Sequence, residues 1–405
     1  MTTVPVHPHA SNHTNQASTV VRRITGPEAH ELFVACRPEG GATDPGRQAE
    51  AVYRAVVALL AAEGASLEAL TSETLFFRNI REDLTHVLDA RERVFRASGV
   101  RACPPLPIVI EQPPLDAEAH LALSTMAVIP RGRQSPACDV LGSARCGCEA
   151  CSEPSGRIVR LADQTYLYAG NIHGTGASAF DEVYGMFCAA EEVLSRAGMT
   201  VHHLVRTWLY LRDIDRDYAE LNRARREFFR DRGIEVRPAS TGIGGAPFPD
   251  GHDFSLSLYA VRSPRPLAVG VMSAPTFNEP WFYGADFSRG LKVVEANKVA
   301  LYVSGTASVD EAGRTAHVGD LPAQVDRLLV NLSALLAGQG ASFRDVVSAV
   351  TYVKHPMDAA LLRATFRDRG FDGFPSVLVR APICRPDLLC ETEAVAVLPL
   401  AQPAK

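Results

Sequence analysis

The chain has 405 residues, 46% of them hydrophobic and 21% charged, with 41 basic and 46 acidic side chains for a net charge of −5. That length and balance fit a soluble protein with two or three domains and exclude a basic surplus for nucleic acid or an anionic membrane surface. No apolar run approaches the roughly 20 residues needed to span a bilayer.

Residues 1–20 are polar, with three His, no charged leader and no apolar stretch. They are expected to be a disordered tail and not a secretory signal. Nine cysteines without such a signal point to reduced thiols and a cytoplasmic protein.

From there one pattern recurs three times. Aligning Gly64, Gly198 and Gly340 without gaps superposes Leu60, Leu194 and Leu336, then Leu70, Leu204 and Val346. Phe76, Tyr210 and Tyr352 coincide next, followed by the cations Arg78, Arg212 and Lys354. Each copy predicts a helix with apolar residues at i, i+3 and i+4 that stops at the Gly in the left-handed conformation. A β-rich strand follows: TLFF, TWLYL or AVTYV. Paired strands precede each helix, within ELFVACRP, TYLYAGNIHG and ALYVSGTASVD. A second helix and two closing strands complete a β-β-α-β-α-β-β unit of α+β class, a mixed sheet with helices on one face. The expected organisation is a repeat over 21–130, a Cys-rich insertion loop over 131–156, a second repeat over 157–262, a linker over 263–284, and a third repeat over 285–400.

The oddity lies in the last strand. In CRPDLLCETEAVAV (384–397), Glu391 falls within an apolar run that belongs in a core. A buried lone carboxylate is costly unless it is paired, protonated or used. By this alignment the other repeats carry Ser124 and Ser257 there, or Ser255 if the register slips by two, so only the third holds an acid. The bland reading is an ion pair with Arg380 or Arg385.

The unit resembles the RidA/YjgF fold, most fully in the third repeat: YVSGTA, VGDLPAQ, NLSALLAGQGASFRDVV and CETEAVA. That fold generally forms trimers with ligand sites between subunits, so three copies in one chain imply a covalent pseudo-trimer, a monomer or at most a weak homo-oligomer. A closer resemblance, over most of residues 21–400, is to the chorismatases. It rests on VRTWLYLRDIDRDYAELNRAR, DFSRG, LYVSGTASV and CRPDLLCETEA. The resemblance implies that chorismate is the substrate, with Glu391 as proton donor. Cys384, seven residues earlier, resembles the mark of members that release 3-hydroxybenzoate and pyruvate. Members with Ala there hydrolyse chorismate to a dihydrodiol. The Cys-rich insertion and long N-terminal tail depart from the family pattern. A different class of reading is an imine deaminase or metabolite binder, but the Arg of the PAR word in RidA-like proteins is missing: PAS (Pro238–Ser240) and FPS (Phe374–Ser376) stand in its place.

A dicarboxylate substrate calls for Arg, whose planar fork grips carboxylates. Arg206 replaces the Ser72 and Ser348 of the other repeats. Arg289, in DFSRG, lies near aromatics that could wall a ring. Arg363, on the last helix, is the weakest of the three candidates, and a solvated face is the favoured reading for it. Tyr210 is a possible hydrogen-bond donor, though Phe76 and Tyr352 at its register suggest core packing. Gly305 allows close backbone approach to a ligand, or marks a strand bulge matched by Gly170. No cofactor is expected. Cys138, Cys146, Cys148 and Cys151 are four possible thiolate ligands in the insertion, at a spacing that is not a standard zinc pattern, so no metal is assigned. GIGGAP (242–247) lacks the spacing and strand-turn-helix context of a dinucleotide site.

Overall fold

The computed structural model describes residues 16–100, 107–131, 137–141, 156–295, 298–357 and 359–400. In the first unit β1 (Gln16–Thr25) and β2 (Ala29–Glu39) lead into α1 (Pro45–Ala62). β3 (Leu70–Phe77), α2 (Ile80–Ala97), β4 (Ile108–Glu111) and β5 (Leu121–Pro130) complete it. After β6 (Ala137–Leu141), the second unit repeats the order: β7 (Gly156–Leu161), β8 (Gln164–Ile172), α3 (Ala179–Arg196), β9 (Leu204–Leu211) and α4 (Ile214–Asp231). It closes with β10 (Ala239–Gly244), a short β11 (Ala246–Pro247) and β12 (Phe254–Arg262). After β13 (Ala268–Val271) come β14 (Gly290–Val294), β15 (Lys298–Ala307), α5 (Leu321–Ala337), β16 (Val346–Val353), α6 (Ala359–Asp368), β17 (Ser376–Arg380) and β18 (Cys390–Pro399).

Three six-stranded sheets result, and each contains the same five-strand core. The orders β1-β2-β5-β3-β4, β7-β8-β12-β9-β10 and β14-β15-β18-β16-β17 are equivalent, with one parallel pair in each. This is the three-unit α+β fold read from the repeats. Gly64, Gly198 and Gly340 have φ of 70°, 68° and 74°, the left-handed helix stop the pattern called for. The helices begin at side-chain caps: Asp44, Asn79, Ser178, Asp213 and Asp320 each accept a backbone N–H of the first turn.

Three expectations need correction. The tail of 1–20 is too long, because β1 starts at Gln16; its β-branched residues pair along β2 and bury Val21 and Ile24. The insertion of 131–156 is not all loop, since β6 forms an edge strand on β7. Cys138 lies in β6, and Cys146, Cys148 and Cys151 fall outside the described residues. The linker of 263–284 contributes β13, an edge strand on β14.

The sheets meet about a pseudo-threefold axis, and each unit hands an edge strand to the next. β10 of the second unit lies against β15 of the third, where Ser240 N–H donates to Ser304 Oγ at 2.8 Å. The third unit's Leu378 carbonyl accepts Leu115 N–H of the first at 3.0 Å. Val109 N–H in β4 donates to Asn171 Oδ1 of the second unit at 3.2 Å. On the axis is a cavity of about 140 Å³ lined by all three sheets. Beside it a buried ion cluster joins units one and three: Lys298 pairs with Glu31 and lies 3.3 Å from Glu295, which also accepts the Tyr302 hydroxyl at 2.8 Å.

Candidate active site

β18 is a central strand, with Glu391 opposite Tyr352 of β16 and Ala307 of β15. The ladders fix which residues of the other units are equivalent. Tyr210 faces Ser255 and Phe76 faces Ala122, so the counterparts of Glu391 are Ser255 and Ala122. Ser257 and Ser124 instead match Glu393. The register had slipped by two, the alternative left open for the second unit. The third unit therefore carries two carboxylates on one strand face where the others carry none.

Glu391 is 5% exposed. Among the described residues its side chain has no hydrogen bond or ion pair. Burial is the main force on its proton, and the negative charge of Glu393 adds to it. Arg289, Arg206 and Arg385 pull the other way, more weakly, and the carboxyl is pushed up to about 8. The ion-pair reading with Arg380 or Arg385 is not what the geometry gives. Arg380 is exposed, and Arg385 directs Nη1 to the Gly313 carbonyl at 2.7 Å.

Gly305 makes room for the acid. β15 is irregular between Val303 and Thr306, and a Cβ on Gly305 would stand 1.9 Å from Glu391 Oε1. Its counterpart in the ladder is Asn171, with φ 50°, while Gly170 matches Ser304. The strand is irregular at Gly305, as a bulge would be, but Gly170 is not its match, and the group packed against it is the protein's own carboxylate. Gly305 N–H donates to Thr241 Oγ1 of β10 at 3.0 Å, which brings the second unit to the same point.

Cys384 packs against the cores of both the second and third units, at their seam. Tyr218 of α4 hydrogen-bonds its sulfur, and Glu391 and Arg289 act on it electrostatically. Burial pushes the thiol up to about 12, so it is neutral at physiological pH. Arg289 is 4% exposed, donates Nε–H to the Asn278 carbonyl at 3.0 Å, and holds its guanidinium 4.7 Å from the Phe277 ring and 5.8 Å from Phe287. Arg225 of α4 lies 5.2 Å from the same Phe287 ring. It went unnoticed in the sequence, where it is one of several arginines along an amphipathic helix.

The remaining candidates lie elsewhere or are engaged. Arg206 is 1% exposed, and its Nη2 pairs with Glu393 Oε2 at 2.8 Å and donates to Thr241 Oγ1. Tyr210 is buried in the core with Phe76 and Tyr352, and the three also line the axial cavity. Arg363 belongs to another seam: it forms a two-pronged pair with Asp116 of the first unit, at 2.9 and 2.6 Å, next to Ala122. Neither the solvated face nor a place beside Glu391 describes it. Among the described residues no helix is long and apolar enough to cross a membrane, and no three His, Cys, Asp or Glu side chains form a metal-binding group.

Three tandem units of one topology, the third alone with buried carboxylates at these positions of its last strand, form a RidA-like pseudo-trimer. Residues 285–398 match the family model described as Endoribonuclease L-PSP. Over 265 residues the chain is 28% identical to a 3-hydroxybenzoate synthase of Streptomyces hygroscopicus, covering 59% of this chain and 76% of that protein. Over 97 residues it is 30% identical to a RutC family protein of Pyrococcus abyssi, covering 24% of this chain and 76% of that one. A crystal structure of a chorismatase shares the fold with a TM-score of 0.59 at 18% identity, covering 81% of this chain and 93% of that chain. The chain is similar to chorismatases over more than half of its length and is built of RidA-like units.

Proposed function

We propose that the protein converts chorismate to 3-hydroxybenzoate and pyruvate at the seam between its second and third units. The observation that carries this reading is Glu391: buried, unpaired among the described residues, pushed up to about 8, and without a carboxylate counterpart in the other units. An enol ether is protonated at carbon, which needs an acid that still holds its proton near neutrality. Glu391 delivers that proton to the methylene carbon and leaves an oxocarbenium ion. The substrate's C4 hydroxyl oxygen attacks C3, returns its proton to Glu391, and the C3–O bond breaks to release pyruvate. The Cys384 thiol opens the resulting epoxide at C4 and passes its proton to the oxygen retained on C3. Aromatisation follows as the C3 proton departs and sulfur leaves C4. Substrate and products balance without water. Arg289 and Arg225, flanking Phe287, are the groups proposed to receive the two carboxylates.

The test is purified protein with chorismate, pyruvate followed by a coupled assay and the ring product by chromatography. Pyruvate with 3-hydroxybenzoate supports the reading, and absence of pyruvate ends it. The neutral state of Cys384 favours a second reading, hydrolysis of chorismate to the dihydroxycyclohexadiene carboxylate, in which the thiol only packs; the same chromatogram separates the two. Under the first reading, Cys384→Ala shifts product from 3-hydroxybenzoate to the diol while pyruvate release continues. An unchanged product ratio removes Cys384 from the chemistry.

The pH dependence has a fixed sign. The reactive form is the protonated one, so kcat/KM holds below the raised value of Glu391 and falls as pH rises through about 8. A plateau extending well above that point contradicts the acid role.

A further inference from the structure

We infer that Glu393 is a positioning residue: it holds the Arg206 guanidinium in a buried pair and so keeps that cation from pairing with Glu391. The inference rests on the acid role proposed for Glu391.

Residues two apart on a strand share a face, so Glu391 and Glu393 look the same way. Both oxygens of Glu393 are engaged. Oε2 meets Arg206 Nη2 at 2.8 Å, and Oε1 accepts Trp208 Nε1–H at 2.7 Å. The guanidinium lies 4.9 Å from the Trp208 ring centre, which holds it in place from the side. Its Nη2 also donates to Thr241 Oγ1, the atom that accepts Gly305 N–H. A continuous chain therefore runs from Glu393 through Arg206 and Thr241 to the backbone beneath the Glu391 carboxyl.

The pair is private to this cleft. Arg206 has Ser72 and Ser348 as counterparts, and Glu393 has Ser124 and Ser257. Both members appear only where the buried acid appears. A charged pair in a core seldom adds stability over apolar residues of the same size, so a specific duty is the better account of it.

The other groups facing Glu391 are Arg289 from the segment before β14, Arg385 and Cys384 from the loop before β18, and the Tyr352 phenol from β16. β10 contributes Thr241, which is uncharged. Of the cations, Arg206 is the one whose fork is held by an acid on the same strand face as Glu391. Removing that acid frees the guanidinium to turn toward Glu391, on which its charge already acts.

The test follows the Glu391 proton directly. The infrared carboxyl stretch, assigned by its loss in Glu391→Gln, is titrated in wild type, Glu393→Gln, Arg206→Gln and the double variant. In Glu393→Gln the midpoint drops by about one pH unit or more, the size expected of a cation brought beside a carboxylate. In Arg206→Gln it rises, because Glu393 is then an unpaired neighbour of like charge. The double variant, with neither charge buried, lies between the two. The alkaline limb of kcat/KM moves with the midpoint in each case. A midpoint that stays put in Glu393→Gln, or moves the same way in both single variants, overturns the inference. Should Glu393→Gln fail to fold, the upward shift of Arg206→Gln decides alone, and its absence is equally fatal. Loss of the proposed reaction shows separately, as absence of pyruvate from wild-type protein whose carboxyl still titrates.

Discussion

Glu391→Gln is expected to abolish pyruvate release from chorismate, with a fall in rate on the order of 10²- to 10⁴-fold, the range a positioned general acid supplies. Gln has the shape of a protonated carboxyl but no transferable proton. The substitution should leave the fold intact, and the sign of its effect on stability follows from the titration. A carboxyl raised from 4.5 to about 8 keeps in the folded chain a proton that the unfolded chain gives up. Its contribution to stability is full below the unfolded value, declines across that window, and is lost above about 8. The neutral amide has no such loss, so at pH 8 the variant should be no less stable than wild type, and more stable by about a few kcal/mol at most. The pyruvate assay and thermal melts at pH 5 and pH 8 read the two effects. An active Glu391→Gln removes the acid role. An inactive variant that also melts lower at pH 8 makes Glu391 a structural group.

The fold was legible because its signals are local and appear three times. Helix stops at Gly64, Gly198 and Gly340, and the apolar strands after them, need no knowledge of distant contacts. The buried acid was legible for a related reason: Glu391 interrupts an apolar strand, and polarity against the period is visible in one dimension. What sequence could not decide was register and neighbourhood. A slip of two along the last strand keeps every side chain on its own face, so alternation cannot distinguish Ser255 from Ser257 as the match for Glu391. The seam is a matter of cyclic order. β17 and α6 pack toward the first unit, which carries Arg363 to Asp116, while Glu391 receives its neighbours from β10 and α4. Arg225 and Tyr218 were overlooked because they lie on a helix of the preceding unit, far from Glu391 along the chain. Arg206 is visible in the sequence because it breaks the repeat. Its partner Glu393 carries no separate local signal, since it shares one short word with Glu391.

Gly305→Ala is the sharpest structural test of how the acid is held. A Cβ at this position would lie 1.9 Å from Glu391 Oε1 and 2.9 Å from its carboxyl carbon, closer than any real contact, and 3.2 Å from the Thr241 methyl. The first two neighbours are the far end of a flexible side chain, so the backbone need not move. The carboxyl must. A shift of about an ångström at a proton donor costs on the order of 10²-fold in rate, since proton transfer requires reach and alignment. The strand itself should tolerate the methyl, because Gly305 is not in the left-handed region and a side chain there meets no backbone strain. The expected result is a large fall in kcat with little change in melting temperature. Trimming the acid in the same background, Gly305→Ala with Glu391→Asp, shortens the displaced side chain and should recover part of the loss, although Glu391→Asp alone lowers activity. Full activity in Gly305→Ala would mean that the carboxyl works from a different position than the one beneath β15. A collapse in stability would mean that the glycine serves the seam with β10 more than it serves the acid.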